Sequence, residues 1–108
     1  MSIDQADRTD VIGVDKISGR VILTVSDHWD WKDEHAHLSA LQAKLNTYVR
    51  FIESGELNRA YPDSVGRQPV VEIVLREPMP TAGSSFLHEV GSLLSASGIE
   101  VRSRVLKE

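Results

Sequence analysis

One segment of this chain constrains the fold more than any other: Ser26 to Gly55, SDHWDWKDEHAHLSALQAKLNTYVRFIESG. Leu38, Leu41, Leu45, Tyr48 and Ile52 recur there at spacings of three and four, which on a 3.6-residue helix makes one continuous apolar stripe. Asp30 can cap that helix, with Asp33 and Glu34 placing negative charge at the positive end of its dipole. Gly55 stops it, because glycine takes left-handed backbone without steric cost. About 24 residues at a rise of ~1.5 Å make a rod of roughly 36 Å. No strand in the chain is that long, so Glu56–Gln68 must bring the chain back, and a connection of that length is a place to look for function.

The flanks switch to strand character. Val11-Ile12-Gly13-Val14 and Arg20–Ser26 are β-rich runs joined by the turn Asp15-Lys16-Ile17-Ser18-Gly19, the signature of a hairpin. Pro69 opens a further strand, Val70 to Arg76, and Pro78 and Pro80 exclude helix until Thr81 or Ser84 can cap one. Phe86, Val90, Leu93 and Leu94 form the stripe of that second helix, Gly98 ends it, and Ile99 to Val105 is the last strand. The order β-β-α-β-α-β, with right-handed crossovers, predicts an α+β two-layer sandwich. Its four-stranded mixed sheet runs 1-2-3-4, the first strand antiparallel, and both helices lie on one face. Residues 1–9 read as a disordered lead-in to a single domain, 10–106.

Charge and composition narrow the function classes. Residues 1–34 carry eight acids and four bases, and residues 35–108 carry eight of each. An acidic half without a basic stripe argues against nucleic acid, whose phosphates demand clustered Lys and Arg. The absence of cysteine excludes disulfides, thiolate catalysis and sulfur-ligated zinc. The polar N-terminus has no signal-peptide core, and no apolar run approaches a membrane span. A cytoplasmic location without membrane contact is the expectation.

Two surfaces stand out. The helix-free face of the predicted sheet carries Val11, Gly13, Ile22, Thr24, Val70, Glu72, Val74, Arg102 and Arg104. Strands exposed on one side alternate to polar, so Val11, Ile22, Val70 and Val74 break the rule and suggest an interface rimmed by Glu72 and the arginines. The other reading is that the N-terminal tail or the loop 56–68 folds over them. The second surface lies at the carboxyl ends of the parallel strands, where open α/β sheets bind ligands. Asp27, His28, Trp31 and Arg76 gather there. Against a pocket stands a local reading: Asp27 makes an Asx turn, and Trp29 or Trp31 is a staple over the helix start.

Two further motifs are weaker. Asp, Glu and His at 27–37 are the right ligand types for zinc, manganese or iron. His35 and His37, however, are splayed by about 200° on a helix rather than aligned as in HExxH, and no metal or cofactor is assigned. Tyr61, between Arg59 and Arg67, is either an exposed binding residue or one tucked against the long helix.

Ser26-Asp27-His28, Trp31, Phe51-Ile52-Glu53-Ser54-Gly55-Glu56 and Tyr61-Pro62 also resemble a small bacterial domain-of-unknown-function family, over about Val11 to Arg104. The resemblance implies a bacterial cytosolic protein and marks Asp27, His28, Trp31, Glu53, Glu56 and Tyr61 as family-type residues. It implies no activity. Ala36 stands where many relatives are expected to have an acid, which further weakens a metal at that turn.

The leading expectation is a non-enzymatic module that holds another protein. One concrete version is an immunity-type protein that neutralises a toxin. Its surfaces are the open sheet face and the acidic helix start, Asp27, Asp30, Asp33 and Glu34. The alternative is a small enzyme or ligand-binding domain built on Asp27, His28, Trp31 and Arg76. A third reading has two sheets meeting face to face in a homodimer.

Overall fold

A computed structural model describes residues 11–106. The lead-in expected over 1–9, and with it the tail as a cover for the sheet, lie outside the described residues. The chain runs β1 (Val11–Val14), β2 (Val21–Asp27), α1 (Glu34–Glu53), α2 (Glu56–Ala60), a 3-10 turn (Pro62–Ser64), β3 (Pro69–Leu75), α3 (Thr81–Ser95) and β4 (Glu100–Val105). The sheet order is β1-β2-β3-β4. β1 pairs antiparallel with β2, and the other two pairings are parallel. This is the α+β architecture that periodicity predicts.

Register sorts the two faces. Val21, Leu23 and Val25 of β2 sit beside Val71, Ile73 and Leu75 of β3, and all six are buried with Leu41, Leu45 and Tyr48 of α1 and Leu57 of α2. Phe86, Leu87, Val90 and Leu94 of α3 pack against the same cluster. All three helices therefore cover one face of the sheet, and the apolar area they remove from water is the main stabilising term. Tyr48 adds a hydrogen bond from its hydroxyl to the Thr24 carbonyl at 3.1 Å, tying α1 to the middle of β2.

Three details differ from the expectation. The helix cap is Asp33, whose Oδ1 accepts from the Ala36 amide at 3.0 Å, so α1 has 20 residues. Asp30 instead folds an Asx turn, accepting from the Lys32 amide at 3.1 Å. The buried stripe of α1 is His37, Leu41, Lys44, Leu45 and Tyr48, with Leu38 only half-buried at its side. Finally, the connection 56–68 is structured. Gly55, at φ 87°, ends α1 and at once starts α2, in a left-handed conformation that strains any residue with a Cβ. Leu57 then drops into the helix-side core, so this connection covers that side and not the open face.

The β1–β2 turn is held by Asp15, which accepts from the Ser18 hydroxyl at 2.8 Å and the Ile17 amide at 3.1 Å. Those two bonds favour the charged form and hold the Asp15 carboxyl below its ordinary value.

Candidate functional site

The inward face of β2 reads Val21, Leu23, Val25 and then Asp27, because side chains alternate across a strand. The stripe of α1, followed backwards by four from Leu41, reaches His37. A carboxylate and an imidazole thus arrive at the same end of the core, and both are buried, at 2% and 0% exposure. His37 Nε2 lies 2.5 Å from Asp27 Oδ2, and His37 Nδ1 lies 2.9 Å from the Asp30 carbonyl. A carbonyl only accepts, so Nδ1 carries a proton. A second proton sits between Nε2 and Oδ2, since two lone pairs would repel at that distance. The pair is electrically neutral as a whole wherever that proton resides, and this is what makes its burial tolerable.

The surrounding groups close it off. The Trp31 ring stacks on His37 with centroids 3.6 Å apart and planes at 15°, and Trp29 lies against it tilted at 58° and 5.5 Å. Trp31 Nε1 donates to the Glu77 carbonyl at 3.3 Å, tying the lid to the segment after β3. Asp27 Oδ1 accepts from the Trp29 amide at 3.2 Å, the Asx turn, and the Asp27 carbonyl accepts from the Arg76 amide at 2.9 Å.

The strand-end set expected from sequence is therefore divided. Asp27 and Trp31 belong to this internal cluster, while His28 and Arg76 face outward. His28, Trp29, Asp30, Asp33, Ala36 and Arg76 line a cleft of about 340 Å³. A second hollow of about 170 Å³, lined by Ser26, Asp27, His28, Val74, Arg76 and Leu106, lies on the other side of the same two residues. Arg76 Nε is 3.8 Å from Glu77 Oε1, a loose surface pair. Among the described residues no three His, Cys, Asp or Glu side chains converge as metal ligands. His37, for which the sequence left open a metal ligand or a solvated or cap-bonded histidine, is committed to Asp27 and Asp30.

On the open face, Glu72 is clasped by both arginines, at 2.9 Å from Arg102 Nε and 3.2 Å from Arg104 Nε. Ile22, Thr24 and Val74 are half-buried around it, and Val11 is 62% exposed. Val70 departs from the expectation: it is fully buried and presents nothing to a partner. Asp27 likewise drops out of the acidic helix start, leaving Asp30, Asp33 and Glu34 at the surface. Tyr61 takes the inward alternative, half-buried against the core cluster.

No helix among the described residues is long and apolar enough to cross a membrane. The chain belongs to a family of unknown function, DUF6572, whose model matches residues 1–107. No curated protein and no solved structure matches it.

Proposed function

We propose that this chain is a non-enzymatic protein-binding module of the bacterial cytoplasm, working through the helix-free face of its sheet. The observation that carries the reading is the pattern on that face. Half-exposed Ile22 and Val74 lie in the rows on either side of the row Val11–Thr24–Glu72–Arg102, and Glu72, Arg102 and Arg104 already hold one another in fixed positions. Exposed apolar side chains interleaved with pre-ordered charges suit a docking surface, and ordering those charges in advance lowers the entropic cost of binding. The partner has an apolar patch with basic residues at its margin, facing exposed Asp30, Asp33 and Glu34. A toxin neutralised in the manner of immunity proteins is one partner of that description.

The Asp27–His37 pair also favours binding over catalysis. Each of its hydrogen-bonding atoms named above has a protein partner, and two indole rings lie against the imidazole. A general base has to reach a substrate proton. Val74→Lys tests the reading: proteins cross-linked to the wild type in its native lysate are identified, purified and titrated against both forms. Loss of affinity with an unchanged melting temperature supports it. An affinity that Val74→Lys leaves untouched overturns it.

A second reading is favoured by the hollows on either side of His28 and Arg76, at the carboxyl ends of β2 and β3. Under it the module binds a small ligand there. NMR titration of the His28 ring checks this, and a histidine that titrates like a free peptide in every condition counts against it.

A further inference from the structure

The helix layer has a surface of its own. α1 and α3 leave a groove of about 230 Å³ between them, lined by Leu45, Val49, Phe86, Val90 and Leu94, and Leu93 stands at its rim with 73% of its surface exposed. Among the described residues charge is sparse around it: Glu89 is the one exposed Asp, Glu, Lys or Arg of α3, and those of α1 (Glu34, Arg50 and Glu53) stand at its two ends, in a chain where 26% of residues are charged. Depletion of charge around an apolar centre is the compositional mark of an interface core.

We propose that this face is a homodimer interface, in which two copies meet helix layer to helix layer about a two-fold axis and the Leu93 side chain of each seats in the groove of the other. Two features select a second copy as the occupant. Knob and groove lie on one patch, which is what an isologous contact requires, since each subunit must offer both halves of the contact. Each copy also carries a net charge of −4. Like-charged molecules associate most readily through a face that carries few fixed charges.

The arrangement turns the two open sheet faces outward in opposite directions. A dimer then binds two partners, or two sites on one partner with avidity. The inference goes beyond the sheet-face reading and does not rest on it.

The test is the solution mass of the full chain by light scattering and sedimentation equilibrium, for the wild type, Leu93→Glu, Asn46→Glu and Val74→Lys. The expected result is a wild type of twice 12.0 kDa, with Leu93→Glu monomeric and its circular dichroism spectrum unchanged, and Val74→Lys still dimeric. Asn46 is exposed on the same groove, so Asn46→Glu decides the matter if Leu93→Glu folds poorly. A wild type that stays monomeric at every concentration overturns the proposal. So does a dimer that survives both groove variants, or one that Val74→Lys alone dissociates.

Discussion

His37 Nε2 and Asp27 Oδ2 lie 2.5 Å apart in the interior, joining the last residue of β2 to the first turns of α1. The contact spans only ten positions in sequence, yet it fixes how the strand hands over to the helix. The intervening DHWDWKD segment cannot form a core of its own. It is organised instead around the imidazole, with Trp31 stacked on one face, Trp29 tilted against it and the Asp30 carbonyl held by Nδ1. Local chain direction is thus set by a buried polar node rather than by apolar packing alone.

Removing half of that node should be expensive. Asp27→Ala leaves the imidazole buried without its acceptor and frees the Trp29 amide, and breaking a buried pair in this way costs about 3–5 kcal/mol. Asp27→Asn should cost far less, about 1 kcal/mol. Its amide N–H can donate to a neutral His37 Nε2 while its carbonyl oxygen keeps the Trp29 amide. Urea denaturation of the two variants checks the ranking, and equal losses would mean that shape rather than hydrogen bonding holds the turn.

Two glycines of α3 should respond in opposite senses to alanine. A Cβ at Gly83 would lie 3.3 Å from the Trp31 ring and 3.4 Å from Met79, while at Gly91 it would meet nothing within 4 Å. Alanine gains up to about 1 kcal/mol over glycine in a helix interior. Gly91→Ala should therefore raise stability by roughly 0.5–1 kcal/mol. Trp31 cannot retreat, being stacked on His37 and bonded to the Glu77 carbonyl, and Gly83 sits in the first turn of α3, where the helical gain is smaller, so Gly83→Ala should lower stability. Thermal melts of both variants decide it.

The exposed turn before β2 offers a pH-dependent test. The Ser18 hydroxyl and then the Ile17 amide hold the Asp15 carboxyl below its ordinary value. Such a group stabilises the fold above its unfolded-state pKa, and the contribution is lost as pH falls through the folded value. Ser18→Ala should move the Asp15 titration back up towards the usual aspartate range. Carboxyl-detected NMR on both forms reads the shift directly, and an unmoved Asp15 would assign the effect to the backbone alone.

Much of this was legible in the residues, including part of what was passed over. Alternation through Val21, Leu23 and Val25 points Asp27 inward, and stepping back four from Leu41 points His37 inward, so the dyad lay in two periodicities read separately. The capping aspartate was less accessible: Asp30 and Asp33 both precede acidic and apolar residues, and either can fold an Asx turn or cap a helix. α2 escaped because five residues, ELNRA, are too short to show a period. Val70 is a different case. Its register places it on the open face opposite Ile22, as the pleat requires, yet it is buried. Burial depends on what lies against a face, and strand periodicity encodes only which face a side chain takes.

Val70 and Val74 therefore separate stability from recognition on one strand. They are two pleats apart on the same face of β3, Val70 at 0% exposure and Val74 half-exposed beside the 170 Å³ hollow. Val70→Ala strips methyl groups from a closed site and should cost about 2 kcal/mol in urea denaturation. Val74→Lys can lay its methylene stem on the sheet and lift its ammonium into water, so it should cost less than about 1 kcal/mol. At the same time it adds a positive charge next to Arg102 and Arg104, on the surface proposed above to meet a partner. The expected pairing is a destabilised Val70→Ala that still binds and a stable Val74→Lys that does not. A stable Val74→Lys with full affinity would remove this face from the function.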